Sequence, residues 1–314
     1  MADNDGRWER EVIEKLATAA LKEQRRSRMW GIFFKLLTFA YVTVIILLAV
    51  DWKEMGDRRG GRHTALVEIG GIIAPGTDSS AEKINTALNA AFKDKNTLGV
   101  VLRINSPGGS PVQAQTIYDE MRRLRQKYPA TPLYAVVEDL CASGGYYVAV
   151  GADRIFVAKS SIVGSIGVRM DSFGVTGLME KLGIERRLLT SGENKAMLDP
   201  FLPLEDKHKQ HAQSLMNEIH QQFIAVVREG RGKRLKENPD IFSGLIWSGA
   251  KSIELGLADA FGSLDYVARE VIKAEDIVDY TQKENIAEKF ARRFGVGVAG
   301  ALLEFAARTG TTLR

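Results

Sequence analysis

Asp139-Leu140-Cys141-Ala142-Ser143-Gly144-Gly145-Tyr146-Tyr147 follows the apolar run Leu133-Tyr134-Ala135-Val136-Val137. The run reads as a buried strand, and Ala142 to Ala152 reads as a helix opening on Ser143. A serine at that junction has a small hydroxyl at the strand end and the N–H groups of a helix N-terminus beside it. Negative charge developing on a substrate oxygen is stabilised in such a place. The two glycines let a peptide substrate approach the backbone closely. Taken alone, the same residues also suit a plain helix cap and turn.

A second segment repeats the pattern. Leu102-Arg103-Ile104-Asn105-Ser106-Pro107-Gly108-Gly109-Ser110 runs from a strand (98–104) into a glycine turn and then a helix. Pro107 fixes one φ, while Gly108 and Gly109 tolerate positive φ, so successive N–H groups can face one concavity. Two such turns on neighbouring strands would set an anion-binding nest beside Ser143. Ser106 and Ser110 are competing nucleophiles on that turn. Cys141 is another, although a strand-to-helix turn sends its side chain into the core.

A serine nucleophile needs a base. The four histidines are poorly placed for it. His63 lies by the segment that follows the apolar stretch, and His208, His211 and His220 fall on a long polar helix, where solvated surface is expected. Lys195, in Ser191-Gly192-Glu193-Asn194-Lys195-Ala196-Met197-Leu198-Asp199-Pro200-Phe201, is the alternative. A lysine serves as base only when neutral, which requires desolvation or neighbouring positive charge. Composition does not separate it from a solvated loop lysine.

Further segments align with these. Val163-Gly164-Ser165-Ile166-Gly167-Val168, Trp247-Ser248-Gly249-Ala250, Leu255-Gly256-Leu257-Ala258-Asp259 and Gly262-Ser263-Leu264-Asp265 follow in order. With Ile104 to Gly109, Ala142 to Tyr147 and the lysine loop, they resemble peptidase family S49, the signal peptide peptidase A family of the Clp protease/crotonase superfamily. The resemblance covers roughly residues 64–275, and the Ser143–Lys195 separation is that of the short, single-repeat members. It implies a serine endopeptidase in which Ser143 is the nucleophile and Lys195 the general base. Ser165 would orient the lysine, although it also suits a simple turn between short strands. Gly108 and Gly109 would supply oxyanion N–H groups, with Gly144 a second donor. Asn194 departs from the pattern, since many members carry Tyr before the lysine.

The rest of the chain gives the organisation. At 314 residues, with 45% apolar and 26% charged, it has the size and composition of one large globular domain with extensions. A net charge of +4, without clustered Lys/Arg and interleaved aromatics, gives no reason to invoke nucleic acid. No His/Cys/Asp/Glu cluster has ligand spacing, and neither metal nor cofactor is expected. Trp30 to Val50 is apolar except for Lys35 and is flanked by Trp30 and Trp52. It has the length to cross ~30 Å of hydrocarbon. Lys22, Arg25, Arg26 and Arg28 precede it and Lys53, Arg58, Arg59 and Arg62 follow, a modest bias towards a cytoplasmic N-terminus and an exported catalytic domain. The resemblance implies the same placement, at a bacterial inner membrane with the catalytic domain periplasmic.

The expected division is a tail (1–28), a transmembrane anchor (29–51), a linker (52–63), a catalytic domain (64–280) and a C-terminal helical tail (281–314). The alternation of strands and helices predicts an α/β fold, a crotonase/Clp-protease-like β-β-α superhelix. Leu204, Leu215, Ile219, Phe223 and Val227 are the expected buried face of a long helix over 204–230. The resemblance further implies a homo-oligomeric ring acting on signal-peptide remnants and unfolded peptides at the lipid bilayer. A crotonase-type acyl-CoA enzyme and a non-catalytic membrane scaffold are the competing classes.

Overall fold

Three consecutive strands carry the core: β1 (His63–Ile73), β2 (Thr97–Gly109) and β3 (Leu133–Ala142). They pair in parallel and are apolar on both faces, as strands covered on both sides must be. Val67, Ile69, Leu102, Ile104, Ala135 and Val137 enter the main core with Ile84, Leu88, Ile117 and Met121 of the crossover helices. Val101 and Val136 face the other way, onto Phe156, Val267 and Ile272. The helices are α2 (Ala81–Lys93) between β1 and β2, and α3 (Pro111–Lys127) between β2 and β3. The computed structural model describes residues 5–49 and 61–282, with the side chains of 5–13, 20 and 45–49 outside the description.

β3 forks the sheet. Its first half (Tyr134 to Val136) pairs with β4 (Arg154–Val157), and its last three residues pair with β5 (Ile162–Gly164). The strand order is β6-β5-β3-β2-β1-β8, with β6 (Ile246–Ser248) antiparallel to β5 and β8 (Ile277–Asp279) parallel to β1. β4 continues onto β7 (Ala260–Phe261). This mixed α/β architecture with its parallel strands fits the expected Clp-protease-like fold.

The expected glycine turn after Ile104 is instead strand. Pairing with β1 continues through Ile72↔Gly108 and Ile73↔Gly109, after a register shift between Gly70 and Ile72. The ladder absorbs the irregular residues as a bulge, which bends the strand without ending it.

Beneath the fork, Arg231 is 1% exposed and grips Asp259 through both terminal nitrogens at 2.9 Å, while its Nε donates to Gly256 O at 2.7 Å. Asp259 also accepts from Ile155 N at 2.7 Å. Burial pushes the Asp259 carboxyl up, but the Arg231 hydrogen bonds and charge outweigh it and hold the group below its ordinary value.

The chain divides into two compact units, Met1–Arg58 with Glu284–Arg314, and Arg59–Lys283. In the first, α1 (Asp5–Ala49) is one continuous helix. Its apolar side chains from Met29 to Val44 are largely exposed, among them Phe33, Phe34, Leu36 and Phe39. Among the described residues no helix is long and apolar enough to cross a membrane. The side chains of 45–50 in the expected span, most of the linker and all but the first two residues of the expected C-terminal tail lie outside the description.

Candidate active site

Ser143 stands where β3 gives way to α4 (Gly144–Ala149), with φ 52° and ψ −123°. Such a backbone costs a non-glycine residue about 1–3 kcal/mol and persists only where the surroundings impose it. Here they do. Ser143 N–H donates to Gly164 O at 2.9 Å, and Ser143 O accepts from Tyr147 N at 2.9 Å. Tyr146 is fully buried and donates its hydroxyl to Leu257 O at 2.8 Å, which anchors the short helix to the core. The sharp turn leaves the Ser143 side chain on the wall of a narrow cleft of about 40 Å³. Gly109, Ala114, Gly144, Tyr147, Ile219 and Phe223 share that wall.

The two glycine segments touch backbone to backbone. A Cβ on Gly108, at φ +100°, would stand 2.6 Å from Gly144 N and 2.8 Å from Ser143 Cβ. Only glycine lets β2 lie this close to the Ser143 turn. Gly108 N–H is already engaged, donating to Ser106 Oγ at 3.1 Å. Ser110 N–H bonds Ile73 O, so in this parallel ladder Gly109 N–H is turned away from β1. Gly109 N lies 3.2 Å from the point where a Cβ on Gly144 would stand. Of the three glycines expected as oxyanion donors, Gly109 N and Gly144 meet beside Ser143, whereas Gly108 N–H is taken by the Ser106 hydroxyl.

The competing nucleophiles are occupied elsewhere. Ser106 is fully buried and donates its hydroxyl to Gly71 O at 2.6 Å. Ser110 caps α3, accepting from Gln113 N at 3.4 Å. Cys141 is fully buried, and burial pushes its thiol up, away from the reactive thiolate. Burial likewise raises the Tyr147 hydroxyl to about 12, so it stays protonated and does not serve as a base.

Ser165 is half-buried with φ 52°, and its N–H donates to Leu245 O at 2.8 Å. This adjoins Gly164, whose carbonyl receives Ser143 N–H, so the Ser143 and Ser165 turns are directly linked.

Lys195 stands apart from this group. It is exposed and is not among the residues lining the Ser143 cleft. The segment that carries it, residues 169–205, holds the short helix α5 (Thr176–Lys181) and bares Phe173, Leu178, Leu182, Ile184 and Leu189. Its lysine loop is fastened at two ends. Downstream, Asp199 pairs with Arg186 at 2.6 Å. Upstream, two side chains reach the first turn of α6 (Asp206–Arg231). Glu193 meets Lys207 at 3.1 Å, and Asn194 Oδ1 meets His208 Nε2 at 3.0 Å. The first is an exposed ion pair, screened by solvent, and adds little. The second is half-shielded, because His208 is only 8% exposed while Asn194 is exposed, and a hydrogen bond of this kind contributes about 0.5–1.5 kcal/mol.

Of the three helix histidines expected on solvated surface, His211 is exposed and the other two are not. His208 is buried, and His220 is half-buried with Nε2 3.1 Å from Ile166 O. His63 is buried at the start of β1, against Tyr280. No local signal marks His208, because its partner Asn194 belongs to a loop that folds back onto the helix. The apolar stripe of α6 is half correct. Phe223 and Val227 are buried, whereas Leu204, before the helix, and Leu215 are exposed. Among the described residues, no group of three or more His, Cys, Asp or Glu side chains could hold a metal ion.

Comparison with known proteins fits this arrangement. The model for peptidase family S49 matches residues 125–278. Over 204 residues, 63% of this chain, the sequence is 43% identical to the Na(+)/H(+) antiporter NhaA of Brucella melitensis biotype 1, and the match spans only 28% of that protein. It is 30% identical over 269 residues to a Methanocaldococcus jannaschii protein named as a protease, covering 81% of this chain and 85% of the relative. An Enterococcus faecium protein named as a signal peptide peptidase is 30% identical over 238 residues, 73% of this chain and 68% of its own length. With the relatives matched along most of their length and the family model falling on the strands and turns around Ser143, the chain belongs to peptidase family S49.

Proposed function

We propose that the protein is a membrane-anchored serine endopeptidase working through a Ser143–Lys195 dyad. The strained Ser143 turn, set against the Gly109 and Gly144 N–H groups, is the observation that carries the reading. Ser143 Oγ attacks the scissile carbonyl carbon while its proton passes to neutral Lys195 Nζ. The carbonyl oxygen becomes an oxyanion held by Gly109 and Gly144, each donor contributing about 3–4 kcal/mol in comparable hydrolases. The intermediate collapses, the C–N bond breaks, and Lys195 returns the proton to the leaving amine. Water then attacks the acyl-enzyme with Lys195 again as base, and Ser143 leaves with its proton restored. Ser165 is the hydroxyl that orients the lysine.

The base is best supplied by a neighbouring copy. The Lys195 loop is tied to Lys207 and His208, whereas Ile219 and Phe223 of the same helix line the Ser143 cleft. Those positions are separated by roughly 16–24 Å along the helix at 1.5 Å per residue. The bare apolar side chains of residues 169–205 fit a contact between copies, and burial there would desolvate Lys195 and favour its neutral form. A ring so built would confine cleavage to unfolded peptides, with signal-peptide remnants the substrates implied by the family. The exposed apolar side chains of α1 support anchoring at the bilayer, and the basic residues that precede them favour a catalytic domain on the exported side.

The test measures hydrolysis of an unfolded protein by the full chain in detergent. Ser143→Ala and Lys195→Ala should each fall to background while assembling normally. Mixing the two inactive chains should restore a fraction of the activity, since some contacts then pair an intact serine with an intact lysine. Activity surviving in either single variant would sink the dyad. No recovery on mixing, with exchange of chains demonstrated, would place both residues in one copy.

A further inference from the structure

The contact between Asn194 and His208 involves two groups outside the serine, the oxyanion donors and the lysine. Asn194 stands next to Lys195 and is itself exposed. Its Oδ1 can only accept, so His208 Nε2 is the donor. His208 is 8% exposed on the opening turn of α6, a helix whose later turns are seated in the core through Phe223, Ile224 and Val227. Beside the exposed Glu193–Lys207 pair and the Asp199–Arg186 pair, the backbone around the lysine is held by its own turn, Lys195 N–H to Gly192 O at 3.1 Å and Met197 N–H to Asn194 O at 3.0 Å. A free loop of this kind would rotate as a unit. Asn194 is the member of that unit with a half-shielded bond to a long, core-anchored helix.

We propose that His208 and Asn194 are positioning residues for Lys195, fixing the direction in which the lysine leaves its loop. The proposal rests on Lys195 being the base and goes further, assigning the control of its placement to a residue pair. The pair touches neither substrate nor reacting atoms. Its loss would leave peptide binding in the Ser143 cleft intact and misdirect the proton acceptor, and small displacements of a catalytic group are costly in rate.

The test compares Asn194→Ala, His208→Ala, His208→Gln and the Asn194→Ala/His208→Ala double variant with Lys195→Ala. All are full chains in detergent, checked for assembled mass and thermal midpoint, with an internally quenched Leu/Ala-rich peptide as substrate. Each single alanine variant should lower kcat about 10- to 100-fold with KM unchanged within about twofold. The double variant should be no slower than the worse single one. His208→Gln keeps an amide donor and should recover kcat to within about threefold of wild type. If removing buried His208 disturbs folding, exposed Asn194→Ala carries the test. A folded, assembled Asn194→Ala enzyme with wild-type kcat overturns the positioning role while an inactive Lys195→Ala leaves the dyad standing. Multiplying losses in the double variant also overturn it. An active Lys195→Ala enzyme overturns the dyad and this proposal together.

Discussion

The Ser143 turn and the lysine-bearing segment are built in opposite ways. The turn sits where β2, β3 and β5 converge, its neighbours Cys141, Gly144, Tyr146 and Val163 are buried, and its backbone contacts leave no room for a single added carbon. Residues 169–205 are largely exposed and are held by a few side-chain bonds. The first region is fully specified within one chain. The second has polar tethers and an unburied apolar surface, the composition of an element that packs against something further. Half of the proposed chemistry thus rests on a rigid scaffold, and half awaits a contact.

Three substitutions probe that contrast. The largest effect belongs to Asp259→Asn under the rigid region. It leaves the Arg231 charge buried without a compensating partner, and loss of about 3–5 kcal/mol is expected in denaturant unfolding. The pH dependence has a defined sign. Because the native carboxyl is held below its ordinary value, its stabilisation is complete above the unfolded value of about 4. It is then lost as pH falls through the lowered native value, and the Asn variant should show a flatter acid limb. A variant with wild-type stability would mean that the fork does not depend on this pair.

Next comes Gly108→Ala. Its methyl group meets Gly144 N and Ala142 O at under 3 Å in a backbone region that L-residues avoid. We expect about 2–4 kcal/mol of destabilisation and peptidase activity near background, because the Gly109 and Gly144 donors are pushed apart. An active, equally stable variant would show the turn to be less constrained than its geometry.

The smallest effect on folding is expected from Leu189→Ser, on a side chain 98% exposed. Chain stability should change by less than about 0.5 kcal/mol, while assembled mass and peptidase activity fall together. Unchanged assembly would remove residue 189 from the contact between copies and blur the distinction between the regions.

The rigid region was the legible one. A buried apolar run ending in Ala-Ser-Gly-Gly, and a second ending in Pro-Gly-Gly, report a local requirement for close backbone approach, and Gly108 and Ser143 stand in that contact. The same reading treated Gly108 as an oxyanion donor, whereas the Ser106 hydroxyl takes its N–H. It also read a turn after Ile104 where pairing with β1 carries the strand onward. His208 looked like solvated surface because helix periodicity says nothing about a loop packing against that helix's first turn.

What the sequence by itself determined is the parallel α/β framework and the serine–glycine junction, because strand periodicity and glycine sterics act over a few consecutive residues. Which way the Gly109 N–H faces, that His208 is buried, and that Lys195 is not among the residues lining the serine cleft were decided only by the tertiary structure. Those properties depend on pairings between segments distant in the chain, such as Ile73 with Gly109 and Asn194 with His208, which no local pattern encodes.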